Sequence, residues 1–212
     1  MLKAPSLNMD AIADRYGIEP SLEIPADIGE GDYAEVRSAS RGRAVKIPYL
    51  DPGGMIEHEG AVAARLQAAG GEDLFVRAQA DPELGVLVMD RLDGYEPIGD
   101  WLGRRDGIGK RTFSRIKSQL ERGLSVLEKA GLVHSDLKWD NVLIGPRGAV
   151  KIVDFGLASD RGGYVPYPDY EGWRGGHIDY VSENQLKNGP AEFADDRYAV
   201  NVHLERLRKK VK

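Results

Sequence analysis

Two polar clusters joined by a short apolar segment constrain this chain more than any other feature. The first is His134-Ser135-Asp136-Leu137-Lys138-Trp139-Asp140-Asn141. Eighteen positions after Asp136 comes the second, Asp154-Phe155-Gly156. Between them stand two apolar runs, Val142-Leu143-Ile144 and Val150-Lys151-Ile152-Val153, divided by Pro146-Arg147-Gly148. Short β-prone runs on either side of a Pro/Gly turn predict a hairpin. A hairpin brings its two ends together, so the two clusters should meet at one place. Each alone could be a solvated polar turn; the pair at this spacing is hard to explain that way.

Around this centre the chain reads as strands first and helices second. Met9–Tyr16 suits a short helix capped by Asn8, inside a lead-in that Pro20 and Pro25 break. From about residue 26 to 48, Asp27 to Val36 predicts a strand, a glycine turn and a second strand, and Arg43-Ala44-Val45-Lys46-Ile47 a third. Residues 55–68 predict a helix ended by Gly70-Gly71. Leu74-Phe75-Val76 and Gly85 to Met89 are two further strand candidates, with Pro82 in the turn between them. After Gly94 the helical period takes over. Phe113, Ile116, Leu120, Leu124 and Leu127 fall on one face, with Thr112 as the expected cap and Gly131 as the stop. A loop follows from about 156 to 180, then a last helix over 190–208. No internal repeat or low-complexity tract is present.

Composition excludes some functions. The net charge of −5 gives no general case for nucleic-acid binding. The absence of cysteine removes disulfides and thiolate-bound zinc. No apolar run reaches membrane-spanning length, and the N-terminus lacks the apolar segment of a secretory signal. The expectation is a monomer that works in a cytoplasm.

Several residues carry chemistry. In Gly29-Glu30-Gly31, a glycine turn between strands can bring backbone N–H groups to phosphate oxygens, although most such turns are plain hairpins. Lys46 alternates with apolar neighbours on a predicted strand, and an inward lysine needs an anionic partner. Glu59 on the next helix is a candidate; Glu57 is the alternative, and both cannot face the same way. Asp136 can accept a proton from an attacking hydroxyl, and Asn141 and Asp154 can give a hard cation oxygen ligands. Together these are the needs of phosphoryl transfer.

On these motifs the chain resembles the eukaryotic-like Ser/Thr protein kinase superfamily over roughly residues 26–208. The resemblance implies an α+β, bilobal fold: a β-rich N-lobe over 26–90 and a helical C-lobe over 91–212, after a lead-in over 1–25. It implies ATP and Mg2+ as cofactors. Gly29, Gly31, Val36 and Ala44 would line the nucleotide, with Met89, Asp90 and Leu92 at the gatekeeper and hinge. Lys46 would orient the phosphates, paired with Glu59. Asp136 and Lys138 would act in the catalytic loop, with Asn141 and Asp154 on the metal. Gly176 to Glu183 resembles the end of an activation segment, with Ser182-Glu183 where the family has Pro-Glu. Asp196 would brace the catalytic loop. Lys138, two places after Asp136, favours Ser/Thr over Tyr kinases and weighs against small-molecule kinases of related fold.

The chain also departs from the family pattern. Ala34 replaces the third glycine of the phosphate-covering turn. Ser135 replaces the arginine that reads a phosphorylated loop, so activity should not require phosphorylation of Ser159, Tyr164, Tyr167 or Tyr170. Trp139 is expected to pack rather than to touch substrate. The expectation is a shortened C-lobe that lacks the last helices, which resembles the OspG-like and HopBF-like effector kinases that bacteria secrete by type III systems. That resemblance implies a protein substrate in a host cytoplasm, a chaperone or a ubiquitin-pathway protein. A binding module that has kept the fold without the chemistry is the competing expectation.

Overall fold

The computed structural model describes residues 7–18, 28–30, 33–49, 54–164 and 177–212. Gly31, Asp27, Tyr167, Tyr170 and Gly176 lie outside the described residues. The architecture is α+β, strand-rich first and helical after. The elements in order are α1 (Met9–Tyr16), β1 (Gly29–Glu30), β2 (Ala34–Ala39), β3 (Arg43–Pro48), α2 (Met55–Ala68), β4 (Ala78–Asp81), β5 (Val86–Asp90), β6 (Glu96–Pro97), α3 (Ile98–Gly103), α4 (Lys110–Ala130), β7 (Leu132–Val133), β8 (Val142–Ile144), β9 (Val150–Ile152), β10 (Ser159–Asp160), α5 (Glu183–Leu186) and α6 (Phe193–Arg208). They form two compact units, one of residues 1–64 and 77–92, the other of 65–76 and 93–212. The segment 65–76 thus belongs with the second unit, although it precedes the last strands of the first.

In the first unit, five antiparallel strands run in the order β1-β2-β3-β5-β4. The register sorts their side chains by face, since neighbours alternate along a strand. Val36 pairs with Lys46, Ala44 with Met89 and Lys46 with Leu87, so these five residues share one face. Val45, Ile47 and Val86 belong to the other, where they form a core with Ile12, Tyr16 and Ile18. Residues 7–18 of the lead-in are therefore part of the fold. Asn8 caps α1 by accepting from the Ala11 N–H at 3.1 Å, and Gly17 closes it at φ 64°, a conformation glycine adopts without strain. The Tyr16 hydroxyl donates to Asp81 at 2.5 Å, which ties the helix to β4.

The second unit is built on α4 and α6 with two small sheets, β6-β8-β9 and β7-β10. Ile116, Leu120, Leu124 and Leu127 of α4 are buried, as their spacing predicts. Thr112 does not cap α4; the helix starts two residues earlier, with Gly109 as its cap. The predicted hairpin is present, Val142 opposite Ile152 and Ile144 opposite Val150.

Leu74-Phe75-Val76 is a correction. These residues form only a single parallel bridge, Phe75 to Ile152, while the strand lies at Ala78–Asp81. The run is apolar because the second unit's core buries it, Leu74 and Phe75 to 0% exposure. The Ala-Gln-Ala-Asp strand has no β-branched residue to announce it. Gly71 permits this packing: a Cβ there would meet the Leu66 carbonyl oxygen and Phe75 Cδ2, each at 2.8 Å.

Ile12 is fully buried between α1 and the sheet. Ile12→Ala should therefore destabilise the protein by about 2–5 kcal/mol, measured by denaturant unfolding. An exposed lead-in would leave stability unchanged.

Candidate active site

In the first unit, the Lys46 ammonium donates to Glu59 Oε1 at 2.7 Å. Glu59 is 1% exposed and the Lys46 side chain 13%, whereas Glu57 is exposed. The pairing thus falls on Glu59, which the turn of α2 aims at the Val36–Ala44–Met89 face of the sheet. Gly29 stands opposite Val36 in the register. The Asp90 N–H donates to the Arg77 carbonyl and the Arg91 N–H to that of Gly42, both at 3.0 Å. The Asp90 carboxylate binds Arg77 at 2.7 Å. Asp90 thus spends its N–H and its carboxylate on Arg77, and Leu92 is half-buried.

In the second unit, the hairpin joins the two polar clusters as expected. The Val153 N–H donates to the Asn141 carbonyl at 3.0 Å, next to Asp154. Asn141 Nδ2 donates to the backbone oxygen of Asp136 at 2.8 Å and to its Oδ2 at 2.9 Å. Lys138 Nζ lies 3.2 Å from the same Oδ2. Asp136 Oδ1 is buried and has no hydrogen-bond partner among the described residues. An unpartnered carboxylate oxygen of this kind is costly to keep and suits a group that awaits a donor. Burial pushes the Asp136 carboxyl up to about 6, with Asp154 adding to the rise and Lys138 opposing it. For Lys138, burial opposes the charge, but the Asp136 carboxylate, with Asp154 and Asp140, raises its pKa on balance.

With its amide nitrogen committed to Asp136, Asn141 keeps Oδ1 for a ligand. That oxygen and the Asp154 carboxylate are hard donors that fit magnesium. Among the described residues no group of three or more His, Asp or Glu is arranged to hold a metal. A two-residue set leaves the remaining positions to phosphate oxygens and water, which is how magnesium is usually held beside nucleotides.

The loop carrying Asp136 is held from below. Ser135 has φ 67° and Asp154 φ 65°, left-handed values that cost a non-glycine residue about 1 kcal/mol or more. Asp196 of α6 is 2% exposed and accepts from the His134 N–H at 2.7 Å and the Ser135 N–H at 2.9 Å. Burial pushes its carboxyl up to about 7, against the pull of those two donors. His203, on the same face of α6, hydrogen-bonds the Leu137 carbonyl at 3.0 Å; burial holds its pKa down near about 4. Gln185 donates to the Ser135 carbonyl at 2.8 Å while its Oε1 accepts from the Ser182 N–H. His134 packs edge-on against Phe155, whose ring lies 6.2 Å from that of Phe75. Trp139 packs against His177 and Tyr180.

The sequence did not mark Gln185, His203 or Phe75 as residues of the site. Two of them left a signal. Ser182-x-x-Gln185 is a capping-box pattern, and His203 lies seven residues, two helical turns, after Asp196. Phe75 left none beyond its apolarity. Glu183, in the Pro-Glu position, is exposed and, among the described residues, pairs only with Lys187, at 2.5 Å.

Asp196→Asn would replace an acceptor of two N–H groups with an amide that can satisfy one. It should cost about 1–3 kcal/mol in unfolding free energy. It should also lower catalytic turnover more than substrate affinity, because the loop rather than the binding surface moves. Unchanged turnover would refute the bracing role.

The protein kinase domain family matches residues 73–208. The chain is 35% identical over 116 residues to the serine/threonine-protein kinase PknA of Mycobacterium tuberculosis, across 55% of this chain and 26% of that protein. It is 29% identical over 213 residues to the serine/threonine-protein kinase pkn3 of Myxococcus xanthus, across 92% of this chain and 38% of that protein. The chain therefore spans well under half the length of these relatives. With the matched segment running through both polar clusters and α6, the chain belongs to the protein kinase domain family.

Proposed function

We propose that the protein transfers the γ-phosphoryl group of ATP to a serine or threonine hydroxyl of a protein substrate. The observation that carries this reading is the buried Asp136 carboxylate, with Oδ2 held by Asn141 and Lys138 and Oδ1 unpartnered. Oδ1 would accept the hydroxyl proton as the oxygen attacks phosphorus in line. Lys138 would place positive charge beside the transferring group. In the first unit, Lys46 held by Glu59 would orient phosphates, and Gly29, Gly31, Val36, Ala44, Met89, Asp90 and Leu92 would receive the nucleotide. Asn141 and Asp154 would hold magnesium, which supplies charge neutralisation on the phosphates when bound. The similarity to proteins named as serine/threonine-protein kinases supports the substrate class.

The finer reading is an effector delivered into a host cytoplasm that phosphorylates a chaperone or a ubiquitin-pathway protein. Its support is the resemblance to the shortened OspG-like and HopBF-like effector kinases. Among the described residues no helix is long and apolar enough to cross a membrane.

Labelled ATP with magnesium, offered to the protein alone and with host lysate, tests the reading. Label should pass to protein, and Asp136→Asn and Lys46→Met should abolish it. Label found only on metabolites, or no transfer above the variants, would overturn it. The pH profile is a second check. Asp136 accepts a proton only when ionised, so kcat/KM should fall as pH drops through about 6, rather than through the ordinary carboxylate range near about 4. The sign of the stability effect is opposite. A carboxyl raised by folding is harder to ionise folded than unfolded, so its ionisation opposes the fold at neutral pH. Asp136→Asn should therefore raise Tm at neutral pH while removing transfer, and the gain should vanish below about pH 4.

A further inference from the structure

The second unit carries a charged surface cavity that phosphoryl transfer does not use. It has a volume of about 490 Å³ and is lined by Arg105, Arg111, Thr112, Arg115 and Arg147, with Glu96 as the only acidic residue among the described ones that line it. Neither Asp136 nor any of Lys138, Asn141 and Asp154 lines it.

Two of its charged groups are already engaged. Arg105 donates to the Trp101 carbonyl at 2.7 Å and lies over the Trp101 ring at 4.2 Å. Glu96 pairs with Arg104 and lies 3.8 Å from Arg105. Arg111, Arg115 and Arg147 are exposed and have no ion pair among the described residues. Arg111 and Arg115 stand four apart on α4, so they share a face, where like charges repel. Arg147 joins them from the β8–β9 turn, at φ 59°. Gln119 of α4 fixes that turn: Nε2 donates to the Gly148 carbonyl at 2.8 Å and Oε1 accepts from the Val150 N–H at 3.0 Å. Three guanidinium groups thus stand around one cavity in a chain of net charge −5, with no unengaged acid among its described lining residues.

We propose that this cavity binds a phosphorylated side chain of a partner protein. Guanidinium groups recognise phosphate through paired N–H donors, and three of them match a dianion better than a single carboxylate. The Thr112 hydroxyl adds a donor. The volume exceeds what one phosphoryl group fills, and Ile144 and Pro146 give an apolar wall for the residues beside it. A nucleotide fits less well, because Arg105 covers the face of Trp101 and leaves no open aromatic ring for a base. The choice of a phosphoprotein rests on the protein-kinase reading, since such enzymes meet phosphorylated proteins as products and partners. The anion site itself does not depend on it.

Fluorescence anisotropy tests the proposal with a labelled peptide bearing one phosphoserine among glycines and alanines, beside its unphosphorylated twin. The phosphorylated peptide should bind in preference, and more weakly as salt rises. Arg111→Glu, Arg115→Glu and Arg147→Glu, all at exposed positions, should each weaken binding by about tenfold or more while Tm and label transfer to protein are retained. Asp136→Asn should bind the peptide as the unsubstituted protein does, so loss of catalysis and loss of this site are read separately. Equal binding of the two peptides, or no effect of the three substitutions, would overturn the proposal. So would inorganic phosphate or ADP competing as well as the phosphopeptide at equal concentration, since the ligand would then be a free anion or a nucleotide.

Discussion

The paired hydrogen bonds from the His134 and Ser135 N–H groups to the Asp196 carboxylate support the part of the candidate site that the second unit carries. Ser135 holds a left-handed backbone conformation that its own side chain does not favour. A conformation of that kind persists only when its surroundings over-determine it. Asp196 fixes the backbone from one side and Gln185 from another, while His203 takes the next carbonyl but one. All three partners come from segments fifty or more residues downstream. The loop that carries Asp136 and Lys138 therefore has its shape only once α5 and α6 have docked.

The same loop shows how chemistry and stability oppose each other. Asp136 is 7% exposed, and one of its oxygens has no partner among the described residues. Burial raises its pKa, which makes it a better proton acceptor above that pKa and a worse contributor to the fold. The buried Asp196 beneath it carries a similar penalty, offset by two strong donors. A protein that kept the fold as a binding surface alone would gain stability by losing Asp136. Its retention, with Lys138 and Asn141 arranged on one oxygen, is in accord with the catalytic reading.

Much of this was legible in the sequence because it depends on short-range pattern. The helix at 55–68, the α4 apolar stripe, the Gly131 stop and the hairpin between the two polar clusters follow from periodicity and turn chemistry, which act within a few residues. Lys46 could be marked as needing an acid because an apolar strand environment taxes a lone charge. The choice between Glu59 and Glu57 was harder. It depends on the rotation of α2 against the sheet, and two residues on a helix differ by more than half a turn.

The sequence by itself determined the chemical inventory: which carboxylates, amide and lysines are present, at what spacing, and that a hairpin joins them. It also determined most helices, since their signals are local. Packing between distant segments decides that α1 sends Ile12 and Tyr16 into the first unit's core, that Leu74–Val76 serves the second unit's core, and that Ala78–Asp81 is a strand. It alone placed Gln185 and His203 under the loop that carries Asp136 and gathered Arg111, Arg115 and Arg147 around one cavity. These depend on contacts between residues far apart in the chain. Apolarity and charge say that a residue needs a partner, and only packing says which one it meets.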